Sequence, residues 1–120
     1  MTEEEIYAFV RDSIGSVWAL ELLLLLRRGD DRVWSSAELV RELRSSDTAV
    51  AGCLTKLVGL GIVSSSEAGY RYQPSSSQLA HAVDELQKLY SAKPISVMKA
   101  IMTAPNEKLR IFSNAFRLKD

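Results

Sequence analysis

Apolar residues recur along this chain first at helical spacing, then in two short β-prone runs, then at helical spacing again. From Glu4 to Asp12, Ile6, Phe9 and Val10 keep a helical period, and the acidic residues before them suit the positive end of a helix dipole. Ser13 or Ser16 then offers a cap for a second helix carrying Val17, Trp18, Leu20 and the run Leu22 to Leu26, which stops at Gly29 and Asp30. This helix is apolar on most faces, which predicts a central position. Val33 and Trp34 are β-prone but too few for an independent strand, so they are expected to add an edge to a small sheet formed later.

Ser35 or Ser36, followed by Glu38, has the form of a helix cap. The helix after it sets Leu39, Val40 and Leu43 on one face and Arg41, Glu42 and Arg44 on the other. Ser45, Ser46 and Asp47 break it and cap the next helix, where Val50, Leu54, Leu57 and Val58 recur at intervals of three and four until Gly59 and Gly61. Ile62 and Val63 start a strand, Ser64 to Gly69 form a polar turn, and Tyr70 to Gln73 return until Pro74. From Gln78 to Ser91, Leu79, Val83, Leu86 and Tyr90 form a narrow helical stripe. Pro94 and Pro105 each open a further amphipathic segment. The first carries Ile95, Val97, Met98, Ile101 and Met102; the second carries Leu109, Phe112 and Phe116 among Lys108, Arg110, Arg117 and Lys119.

The predicted class is therefore mainly α with a small β-hairpin. Helix, short strand, helix, tight turn, helix, hairpin, helix is the order of a winged helix-turn-helix, which residues 16–91 follow. Within it, the stretch from Val50 through Leu57 to Gly61-Ile62-Val63 resembles the end of the recognition helix and the first wing strand of MarR-like winged-helix regulators. Leu57 would close the core under the helix-turn-helix, Gly61 would permit the sharp exit, and Ile62 and Val63 would enter the sheet. The resemblance implies a winged-helix domain over residues 1–78 and a helical C-terminal extension over 79–120 of the same domain.

It also implies a DNA-binding surface formed by Ser45, Ser46, Thr48, Ala51, Gly52, Thr55 and Lys56, with Arg71 of the wing on the phosphate backbone. Ala51 and Gly52 stand where family members commonly carry serine, arginine or another polar residue. The expected function is that of a cytoplasmic transcriptional regulator binding double-stranded DNA as a homodimer. The alternative, from the same departure, is a winged-helix protein-interaction module that has lost specific DNA binding. Leu79, Val83, Leu86, Tyr90, Leu109, Phe112 and Phe116 exceed the needs of a compact winged helix, so they are expected to form the dimer interface or to meet another partner.

Composition narrows the remaining classes. The chain's 120 residues suit one domain with its own core, and 47% hydrophobic with 25% charged residues is ordinary globular usage. The leucine run ends at Arg27 and Arg28, well short of the ~20 apolar residues of a membrane span, and the acidic N-terminus does not look like an export signal. Fifteen basic residues balance fifteen acidic ones, but unevenly: residues 1–78 hold eight against eleven, and 79–120 hold seven against four. The basic bias thus lies in the tail, where docking on a protein or an anionic membrane surface competes with dimerisation.

Catalytic and metal chemistry are not expected. His81 is the only histidine and Cys53 the only cysteine, which argues against a metal cluster and an internal disulfide and suits a reducing compartment. No nucleophile elbow, phosphate-cradling glycine loop or metalloprotease pattern occurs. The plain readings are a surface or interface histidine, a structural thiol, and two core tryptophans, Trp18 and Trp34. No enzyme, cofactor or metal is expected.

Overall fold

The computed structural model describes residues 1–29 and 31–103. Its elements are six helices and one antiparallel hairpin. Helix α1, Glu3–Phe9, begins with a capping box in which Thr2 accepts from the Glu5 backbone N–H and the Glu5 carboxylate accepts from Thr2 in return. It runs into a five-residue π turn, Val10–Ile14, closed by the Gly15 N–H donating to the Val10 carbonyl at 2.8 Å. The periodicity did not predict this turn. Its wider winding puts Val10 and Ile14 both fully inside the core.

Helix α2, Val17–Arg28, is capped by Ser16 and buries Leu20, Leu22, Leu23 and Leu26 completely, so it is central as its composition predicts. Trp18 departs from expectation: it is 51% exposed, because it stands in the first turn of α2 and projects beside small residues of a neighbouring helix. Trp34, only 5% exposed, is the core tryptophan, with the Arg32 guanidinium 3.7 Å above its ring.

Helix α3, Ser36–Leu43, carries a Ser35–Glu38 capping box, and α4, Asp47–Gly59, is capped by Ser46. Between them Arg44 adopts a left-handed conformation at φ 50°, which makes the connection abrupt. Gly61, at φ 80°, turns the chain out of α4 into β1, Val63–Ser66. Strand β2, Gly69–Tyr72, pairs back from Val63 with Tyr72 to Ser66 with Gly69. The turn is therefore only Glu67 and Ala68, tighter than the polar turn expected over residues 64–69, because backbone pairing carries the serines into the ladder. Gly69 lies against the Trp34 carbonyl, where a β-carbon would collide. Trp34 and Tyr70 exchange both backbone hydrogen bonds, at 2.7 and 2.8 Å, so the predicted third edge forms.

Helix α5, Ser77–Ala92, and α6, Pro94–Met102, return to the start of the chain. Both pack on α1, α6 also packs on the π turn, and their buried residues join the same core as α2 and α4. The stripe expected as an interface packs largely within the chain. Val83 and Leu86 are fully buried within this one chain, Leu79 is half-buried against the core, and the Tyr90 hydroxyl donates to Glu21 of α2 at 2.7 Å. The sequence could not reveal that the first helix folds back to cover them. Leu109, Phe112 and Phe116 lie outside the described residues. Among the described residues, no helix is long and apolar enough to cross a membrane.

Candidate nucleic-acid interface

Helix α4 turns Val50, Leu54 and Leu57 into the core, and by its 3.6-residue period this leaves Thr48, Ala51, Gly52, Thr55 and Lys56 on an exposed face. Ser46 is exposed at the helix start and Ser45 is half-buried just before it. The structure thus brings together seven of the eight residues assigned to DNA from the sequence. The eighth, Arg71, is half-buried on β2 opposite Ser64.

The polar chemistry of this face is partly committed. Ser46 Oγ accepts from the Ala49 N–H at 3.1 Å, holding the first turn of α4. Thr55 Oγ1 donates to the Ala51 carbonyl at 2.9 Å, so its hydroxyl faces outward as an acceptor rather than as a phosphate donor. Gly52 has no heavy atom within 4 Å of where a β-carbon would stand, so the backbone there is open to close approach. Lys56 is exposed, but its ammonium rests over Gly15, where a β-carbon would lie 2.6 Å from Nζ. The cation thus sits at the carboxyl end of the π turn, where helix carbonyls favour positive charge.

Ion pairs are unevenly distributed among the described residues. Arg11 pairs with Asp12, Arg27 with Asp84, Arg32 with Glu38, Lys88 with Glu85 and Lys93 with Glu3. Among the described residues Arg28, Arg41, Arg44, Lys56, Arg71 and Lys99 make no ion pair, and four of these six fall in the segment from α3 to the hairpin. Arg41 and Arg44 were not singled out from the sequence, although Arg41 lies on the polar side of α3 and Arg44 follows its last turn. The left-handed backbone of Arg44, which puts it at the elbow between α3 and α4, has no signature in the local pattern. Acidic Glu42, Asp47 and Glu67 are exposed in the same region.

Beside α4, Trp18, Leu22, Leu43, Ala49, Val50 and Cys53 line a shallow apolar notch, with Ser45 at its edge. Cys53 is half-buried, and burial raises its thiol pKa above the usual range against weaker opposing effects of the Ser16 hydroxyl and the Lys56 charge. A neutral thiol follows at physiological pH. His81 is exposed on α5, 4.0 Å from Glu85. Among the described residues, no three His, Cys, Asp or Glu side chains cluster as metal ligands.

Comparisons of the chain with models of known protein families, with curated proteins and with solved structures find no match.

Proposed function

We propose that this chain is a winged-helix DNA-binding module, with α3 and α4 as the helix-turn-helix and β1–β2 as the wing, working as a dimeric transcriptional regulator in the cytoplasm. One observation carries the reading: among the described residues, Arg41, Arg44, Lys56 and Arg71 make no ion pair, while five of the other seven lysines and arginines do. A protein that binds phosphates needs positive charge that is not already neutralised internally. The small exposed residues Ala51 and Gly52 allow the α4 backbone to approach a groove closely, and the third edge at Trp34 gives the hairpin the backing a wing requires.

Base readout is the weak part of this surface, because it holds no bidentate arginine or amide side chain on the outer face of α4. Backbone contacts and groove shape then supply much of any preference. The test is selection of bound duplexes from a random library at near-physiological salt. Enrichment of an inverted repeat is expected. No enrichment, with no measurable non-specific binding, would instead favour a protein-interaction module, which the exposed Trp18 notch supports.

A further inference from the structure

Trp18 is 51% exposed, and Ser45, Ala49 and Cys53, which share its notch, are too small to cover the indole. A raised ring and a hollow therefore stand side by side on one surface. Such a surface is self-complementary: two copies related by a two-fold axis can each set the ring into the hollow of the other. Apart from Ser45 the hollow is lined by apolar side chains and the Cys53 thiol, which suits an aromatic occupant.

Charge around the notch selects the occupant. Arg44 lies between Leu43 and Ser45, which both line it, and Lys56 is near enough for its charge to act on the Cys53 thiol. Glu42 and Asp47 flank the same residues along the chain. All four are exposed, and none makes an ion pair among the described residues. An acidic partner would meet the two acids, and a basic partner the two cations. A rim carrying both signs fits a copy of itself, because each contact between opposite charges then forms twice.

We propose that a second copy of this chain covers the notch, each Trp18 lying over Ala49 and Cys53 of the other copy and each Arg44 facing the other copy's Asp47. Two half-exposed indoles and their surroundings bury far less than the ~1,200 Å² of a stable interface, so the pair is weak, with a dissociation constant on the order of 100 µM. Ala49 and Cys53 belong to α4, so the two α4 helices of a pair stand much closer than the ~34 Å between successive half-sites on DNA. The pair therefore holds the chain off DNA and is not the dimer that an inverted repeat calls for. This consequence rests on the DNA-binding reading; the pairing does not.

The experiment is sedimentation equilibrium of the full chain from about 10 µM to about 1 mM, a range that brackets such a weak pair. Acrylamide quenching of tryptophan fluorescence is read beside it, and buried Trp34 contributes little to that signal. The average mass is expected to rise from one chain toward two while quenching falls. Trp18→Ala is expected to weaken association several-fold, with circular dichroism checking the fold. Should that variant unfold, Ala49→Arg, which fills the hollow, is expected to do the same. Arg44→Asp and Asp47→Arg each set like charges across the axis and are expected to weaken the pair, and Arg44→Asp/Asp47→Arg together to restore it. A single chain at every concentration overturns the proposal, as does association that neither Trp18→Ala nor Ala49→Arg weakens. A double reversal no better than the single ones overturns the two-fold arrangement. Saturating duplex, added where the pair forms, is expected to return the quenching to that of the dilute chain. Protection that persists in the duplex complex overturns the consequence for DNA and leaves the pairing in place, whereas no duplex binding at all counts against the DNA-binding reading alone.

Discussion

Helices α4 and α5 carry the same kind of apolar stripe and use their outer faces in opposite ways. In α4 the residues Val50, Leu54 and Leu57 are buried, and in α5 the residues Ala82, Val83, Leu86 and Leu89. Outside that stripe, α5 is committed to its own chain: Asp84 holds Arg27, Gln87 also accepts from Arg27, Tyr90 donates to Glu21, and Glu85 meets Lys88. Among the described residues the outer face of α4 makes no side-chain hydrogen bond or ion pair to another element, and only the Lys56 ammonium reaches across, to Gly15. A stripe thus says only that a helix is packed; which face is on offer depends on what the polar residues have already been given.

The largest test of this comparison removes one stripe residue from each helix. Leu54→Ala and Leu86→Ala are each expected to cost about 2–5 kcal/mol in urea unfolding, since both side chains are buried in one core. If Leu86→Ala instead dissociated an oligomer and left monomer stability unchanged, α5 would be an interface after all.

A smaller effect separates engaged from free cations. Arg27 Nη2 lies 2.7 Å from Asp84 Oδ1, with the two side chains 29% and 48% exposed, so solvent screening limits Arg27→Ala to a loss of about 1 kcal/mol. Arg44→Ala is expected to change stability by no more than about 0.5 kcal/mol, because no ion pair is lost. In salt titrations of duplex binding the order reverses. Arg44→Ala and Lys56→Ala should each weaken binding and reduce the salt slope by about one, and Arg27→Ala should leave it unchanged. Equal slopes for all three would remove α3 and α4 from the binding face.

The smallest effect is a pH dependence. Burial raises the Cys53 thiol in α4, and the bond to Glu21 raises the Tyr90 phenol in α5. Each group holds its proton more tightly in the folded chain. Their stabilisation is fully present below the ordinary range of each group and is lost as pH rises through the raised folded values. Unfolding midpoints between about pH 8 and 11 are therefore expected to fall more steeply for the unaltered chain than for Cys53→Ser/Tyr90→Phe. Parallel curves would show that neither proton is held by the fold.

Much of the architecture was legible because local rules agreed with one another. Ser16 and the Ser35–Glu38 box cap as their spacing predicts, Gly61 turns α4 into the hairpin, and Trp34 joins the sheet as an edge. The exposed face of α4 was legible for the same reason, since burying Val50, Leu54 and Leu57 leaves one orientation for the rest. Arg41 and Arg44 were visible as polar residues, but their freedom from ion pairs depends on which acids other elements bring near. Trp18 was misread because periodicity gives the angle of a residue on its helix and not the height of its neighbours. With Ala49 and Cys53 opposite, nothing is tall enough to cover the indole.

By itself the sequence determined element type and order, the caps, the buried side of each helix and the scarcity of charge on the outer face of α4. These depend on residues within a few positions of one another, where backbone geometry fixes the relation. Only the tertiary structure decided that α1 and α6 pack on α5 and that Val83 and Leu86 are buried within one chain. It also decided that Lys56 reaches Gly15 and that, among the described residues, Arg41, Arg44, Lys56 and Arg71 stay unpaired while five other cations find acids. Those outcomes bring together residues as far apart as Glu3 and Lys93, or Arg27 and Asp84, and local spacing carries no information about such distances.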